Sequence, residues 1–159
     1  MKKPLYTLEQ RKRRDASPWT KVQAVLAPVQ FAIFLISAWL VVAYLISGNG
    51  FEAAAISVVV KTFVLYAIMV TGAIWEKDVY GQFLFAPAFF WEDVVSMGVL
   101  ALHTAYLFVL FLDVGSPDFQ MLLALTAYAL YVINAGQYLW KLRRARLETP
   151  SDTLIGASA

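Results

Sequence analysis

The chain has 159 residues, 60% of them hydrophobic, with a mean hydropathy of +0.64. A water-soluble fold has too little polar surface to cover so much apolar side chain. The net charge is only +2, the chain has no cysteine and one histidine, which excludes disulfides, thiolate chemistry, Fe–S ligation and an ordinary structural zinc site.

The basic residues are segregated. Seven of thirteen Lys and Arg fall within residues 1–21 and four within 141–146, leaving Lys61 and Lys77 between them. Basic ends of this kind suit anionic lipid, whereas a nucleic-acid binder needs a broader basic face.

Thr7-Leu8-Glu9-Gln10 has the form of a capping box, and Ser17-Pro18 that of an N-cap followed by proline at the first helical position. A short basic helix at a membrane surface is expected before the first apolar run. That run starts after some twenty polar residues and exceeds a signal-peptide core, so it is expected to stay as an anchor.

Four stretches meet the length of roughly 20 apolar residues needed to span a bilayer: 22–47, 53–75, 92–112 and 119–140. The fold class expected is therefore all-α, an integral membrane four-helix bundle forming one domain over 1–147. Residues 148–159 are expected to be a flexible polar tail. The short connections after the first and third spans make 1–2 and 3–4 antiparallel neighbours. Neither short turn carries Lys or Arg, so both basic termini and Lys77 belong on the cytoplasmic side.

Ionisable residues within such spans are the informative ones. Lys61 and His103 lie at similar depths near the midplane. A second layer, toward the cytoplasm, holds Glu76, Glu92 and Asp93, with Gln30, Asn134 and Gln137 as further polar candidates. Glu92 and His103 are eleven residues apart, about three turns, and share a helix face with Ser96. Asp93 starts a neighbouring stripe with Met97 and Thr104. The axial gap from Glu92 to His103 is roughly 16 Å, suited to a flat ligand and too long for a metal ion.

Residues 75–91, WEKDVYGQFLFAPAFFW, hold seven of the chain's 24 aromatics. This segment can fold back as an interfacial lid over a planar hydrophobic compound. Plainer alternatives stand beside each reading. Lys61 can pair with a carboxylate, and His103 can be a helix–helix hydrogen-bond donor. Glu92 or Asp93 can cap a helix or neutralise Lys77. The aromatics can anchor the chain at a membrane surface, and Asn134 and Gln137 can join helices.

Several blocks resemble the 2-vinyl (3-vinyl) bacteriochlorophyllide hydratase family, BchF-like proteins. They are LYTLEQRKRRDASPWTKVQ (5–23), KTFVLYAIMVTGAIWEK (61–77), LFAPAFFWEDVVSM (84–97), LALHTAY (100–106) and YVINAGQYLWKLRRARL (131–147). The resemblance runs from about residue 4 to 147. It implies water addition to the C3 vinyl group of chlorophyllide a or 3-vinyl bacteriochlorophyllide a, giving a 1-hydroxyethyl group in bacteriochlorophyll a synthesis. It implies no cofactor of the protein's own, the substrate bringing its magnesium, and possible contact with other enzymes of that synthesis.

For that chemistry the residues themselves suggest Asp93 or Glu92 as acid and Glu76 as partner base, since low polarity and an adjacent carboxylate favour a protonated acid. His103, Lys61, Trp75, Phe89, Phe90, Trp91 and Asn134 are the substrate-binding candidates. His103 would act as axial ligand to the substrate magnesium or as holder of the catalytic water. Lys61 suits a propionate, with Lys77 or Arg14 better placed for a charged tail at the surface. The competing reading is a non-catalytic tetrapyrrole carrier or photosystem assembly factor. It would need the histidine and the rings but not three carboxylates at one mouth.

Overall fold

A computed structural model describes residues 4–147, so the expected tail at 148–159 lies outside the described residues. Five α-helices follow in order: α1 (Leu8–Ala16), α2 (Pro18–Ser47), α3 (Phe51–Tyr80), α4 (Phe90–Phe111) and α5 (Pro117–Leu147). The last four are long and apolar enough to cross a membrane. Both sequence-read caps are present. Thr7 Oγ1 accepts from Gln10 N at 3.2 Å while the Gln10 side chain accepts from Thr7 N at 2.9 Å, and Ser17 Oγ accepts from Trp19 N at 3.3 Å.

The helices outrun the expected spans. α2 starts at Pro18 rather than 22, α3 continues to Tyr80 rather than 75, and α5 to Leu147 rather than 140. The expected limits followed the apolar run, but backbone hydrogen bonding continues through polar residues until a residue interrupts it. Gly81, in the left-handed conformation at φ 86°, ends α3, and Gly48 at φ 71° ends α2.

α2 with α3 and α4 with α5 form two antiparallel hairpins that pack against each other. Val41, Ala54, Val58, Val99, Met121 and Ala124 are fully buried between them. A Cβ on Gly98 would stand 3.0 Å from the Leu130 side-chain methyl, so α4 and α5 pack closely at this point. Tyr44 Oη donates to Asp118 at 3.0 Å and closes the end that carries the two short turns.

At the opposite end, α1 is fastened to the end of α3. Tyr6 stacks on Tyr80 at 6.0 Å, Ser17 donates to Asp78 at 2.7 Å, and the Trp75 indole donates to Thr20 at 2.9 Å. The outward faces carry exposed Phe31, Trp39, Ile46, Phe63, Phe108 and Leu139. So extensive an apolar surface marks contact with lipid or another protein.

Candidate active site

Two groups of buried polar side chains lie inside the bundle. The first sits where α3 ends and α4 begins. Glu76, on the last turns of α3, and Glu92 and Asp93, on the first turn of α4, are 4%, 6% and 2% exposed, although residues so near helix ends are usually solvated. What covers them is the connection 81–89, which folds back over both helix ends as the aromatic segment was expected to do. Phe85 N donates to Asp93 Oδ2 at 2.8 Å and Ala86 N donates to Glu76 Oε2 at 3.2 Å. Phe85 takes the left-handed conformation at φ 60°, which costs a non-glycine residue energy. The two carboxylates hold it there.

The space beneath this segment is filled. Phe89 is 2% exposed and its ring lies 5.7 Å from Trp75, 5.9 Å from Tyr80 and 5.8 Å from Tyr138, stacked on the last. The expected hollow is therefore occupied by the protein's own rings. Open apolar grooves of about 270 and 400 Å³ lie instead along the outer seam of α3 and α4, toward the short-turn end.

The two adjacent acids divide their partners. The Glu76 and Asp93 carboxyls are buried together where α3 ends and α4 begins, on the amides of adjacent residues. Asp93 accepts on both oxygens, from Phe85 N and from Tyr138 Oη at 3.1 Å, whereas Glu76 accepts from Ala86 N on Oε2. Two carboxyl groups that hydrogen-bond to each other hold one proton between them. Glu92 points instead to Lys141 on α5, whose ammonium also reaches the Ala88 carbonyl. Lys77, an alternative partner for these acids, lies over Phe83 at 4.2 Å.

Asn134 joins α5 to α4 as expected, accepting from Ser96 at 3.0 Å and donating to the Glu92 carbonyl at 2.9 Å. Gln137 has a buried oxygen without a partner. Phe90 and Trp91, both expected at the ligand, face outward at 43% and 69% exposed. Tyr138 and Lys141 were not singled out from sequence. Asn134, Tyr138 and Lys141 nevertheless follow i, i+4, i+7 spacing on α5, which was a readable signal.

The second group lies about 15 Å farther along α4, ten residues beyond Asp93. Lys61, His103 and Tyr106 are each 0% exposed, and among the described residues Lys61 Nζ, His103 Nε2 and Tyr106 Oη have no hydrogen-bond partner. Lys61 does not pair with a carboxylate of the described residues; its ammonium lies 3.8 Å from the centre of the Tyr131 ring. Nor does His103 bridge helices. Its Nδ1 bonds the Val99 carbonyl of its own helix at 2.8 Å. A carbonyl only accepts, so Nδ1 carries the hydrogen and Nε2 presents a free lone pair.

Comparison with known proteins gives one consistent result. The family described as 2-vinyl bacteriochlorophyllide hydratase (BCHF) matches residues 6–144. The 2-vinyl bacteriochlorophyllide hydratase of Rhodobacter capsulatus is 66% identical over 152 residues, 95% of this chain and 88% of that one. Its counterpart in Cereibacter sphaeroides is also 66% identical, over 145 residues, 91% of this chain and 89% of its own. No solved structure matches the chain significantly.

Proposed function

The chain belongs to the 2-vinyl bacteriochlorophyllide hydratase family, and from that premise we infer how its buried groups carry out hydration. It is a hydro-lyase of bacteriochlorophyll biosynthesis, and the substrate is a magnesium chlorin bearing a C3 vinyl group. The observation that supports the mechanism is the burial of Glu76 and Asp93 together under the connection 81–89, each bonded to one of its amides.

The Glu76 carboxyl donates its proton to the terminal vinyl carbon, the π pair forming the new C–H bond. Positive charge develops on the carbon next to the ring and is delocalised into the macrocycle. A water oxygen bonds that carbon, and the water's spare proton passes to the carboxyl pair, which again holds one proton. Acid and base are thus the two halves of one hydrogen-bonded pair. Asp93 holds the pair in place through Phe85 N and Tyr138, while Glu92 and Lys141 clasp the connection to α4 and α5.

His103 supplies an axial ligand to the substrate magnesium. A ring nitrogen bonded to a backbone carbonyl is the usual support for the other nitrogen's role as ligand. The Phe89 ring fills the slot that the vinyl edge takes, so that side chain turns aside as the substrate enters while the bonds of Phe85, Ala86 and Ala88 keep the connection in place. Trp75, Tyr80 and Tyr138 then face the macrocycle as flat apolar walls. The four long helices cross the cytoplasmic or intracytoplasmic membrane with both termini and the connection on the cytoplasmic side, following the basic residues. The exposed apolar faces meet lipid, from which the chlorin is drawn.

Purified protein given chlorophyllide a in H₂¹⁸O should form a hydroxyethyl product carrying one heavy oxygen. A pigment that is bound and released unchanged would instead support a carrier.

A further inference from the structure

We propose that Tyr106 and Lys61 form a subsite for the ketone at the edge of the macrocycle opposite the vinyl group, an inference that rests on the reading above. Three polar atoms without partners, on side chains with no exposed surface, demand explanation in a native fold, because each unpaired buried group costs stability. His103 Nε2 is accounted for by the magnesium. The other two atoms, Tyr106 Oη and Lys61 Nζ, are both hydrogen donors, and nothing in the hydration step uses them.

Their position along the bundle suggests what they meet. Tyr106 lies thirteen residues from Asp93 on α4 and Lys61 fifteen from Glu76 on α3, about 20 and 22 Å by helical rise. Both therefore lie beyond His103 as seen from the carboxyl pair. Helical side chains lean toward the N-terminus of their own helix. On these antiparallel helices, Glu76 leans toward the middle of the bundle and Tyr106 leans back to meet it, narrowing the gap to roughly the width of one macrocycle. In a chlorin of this class the C3 vinyl group and the ring ketone lie at opposite ends of one axis through the magnesium. With the metal at His103 and the vinyl group at Glu76, the ketone oxygen arrives at Tyr106.

A ketone is an acceptor only, and the donor it meets is the Tyr106 hydroxyl. The Lys61 ammonium, held over the Tyr131 ring, places a positive charge in the same part of the bundle. The subsite sets the orientation of the macrocycle, so that the vinyl group and no other substituent reaches the acid. An analogue with a methylene in place of the ketone keeps nearly the same outline but offers no acceptor, whereas an alcohol oxygen would still accept. Sites built to hydrogen-bond one group discriminate strongly against analogues without it.

The test reads the bound pigment rather than the product. The ketone stretch of chlorophyllide a bound to the full-length protein in detergent should be lower than in free pigment by infrared or resonance Raman spectroscopy. It should return toward the free value in Tyr106→Phe. The methylene analogue, still bearing the vinyl group, should bind wild-type protein at least tenfold more weakly than the ketone, and Tyr106→Phe should narrow that ratio. A ketone stretch at its free value in the wild-type complex overturns the subsite, as does equal binding of the ketone and the methylene analogue, which would leave buried water as the partner of Tyr106. Because hydration is followed separately by ¹⁸O uptake, a free ketone with normal turnover removes the subsite alone.

Discussion

Glu76→Gln and Asp93→Asn are each expected to lower kcat by roughly 10²–10⁴-fold, the range for loss of a positioned proton donor or acceptor, while chlorophyllide binding persists. Each replacement keeps the shape of the side chain. The glutamine cannot release a proton to carbon, and the asparagine cannot take one from water. Because the two groups work as one pair, the double variant should fall little below the worse single one. Steady-state assays at saturating pigment, alongside absorption titration of binding, check this. If both single variants turn over within a few-fold of wild type, the acid lies elsewhere.

The second large effect is on stability. Lys141→Met leaves the Glu92 carboxylate, 8% exposed in its ion pair, without its counter-charge. Breaking a buried pair from one side costs about 3–5 kcal/mol; with Lys141 a quarter exposed, we expect about 3 kcal/mol. The connection 81–89 also loses the ammonium that binds the Ala88 carbonyl. Adding Glu92→Gln to Lys141→Met should restore most of the loss, since no unpaired charge then remains. Denaturant unfolding in detergent micelles measures both. A single variant within about 0.5 kcal/mol of wild type would mean that the pair behaves as an exposed one.

The long helices were legible because hydrophobic runs of this length have few other uses. The Ser17 cap and the end of α2 at Ser47 were legible as well; the ends of α3 at Tyr80 and α5 at Leu147 were not, because polar residues near a membrane surface sit as readily in helix as in loop. The common face of Glu92, Ser96 and His103 followed from helical spacing alone, and all three are buried. Asp93 was assigned to a neighbouring stripe, which on a bare helix would lie to one side. It is buried because the connection folds over the first turn of α4, a long-range contact that periodicity does not carry.

Lys61 shows the same division. Its depth came from counting residues, but its contact with the Tyr131 ring depends on how α5 is rotated against α3. The chain's last basic cluster was read as a lipid-facing end, and one member, Lys141, turns inward instead. His103 was open to several roles on sequence grounds. The bond to Val99, which leaves Nε2 as a lone pair, could be seen only once the side chain was placed.

The central claim is that the resting protein keeps one proton between two carboxyl groups inside the bundle. Infrared difference spectroscopy of the purified protein at neutral pH measures this directly. The account predicts a protonated-carboxyl C=O band that shifts in D₂O and is lost in both Glu76→Gln and Asp93→Asn. A spectrum showing only ionised carboxylates at neutral pH, or a protonated band unaffected by either substitution, would contradict it.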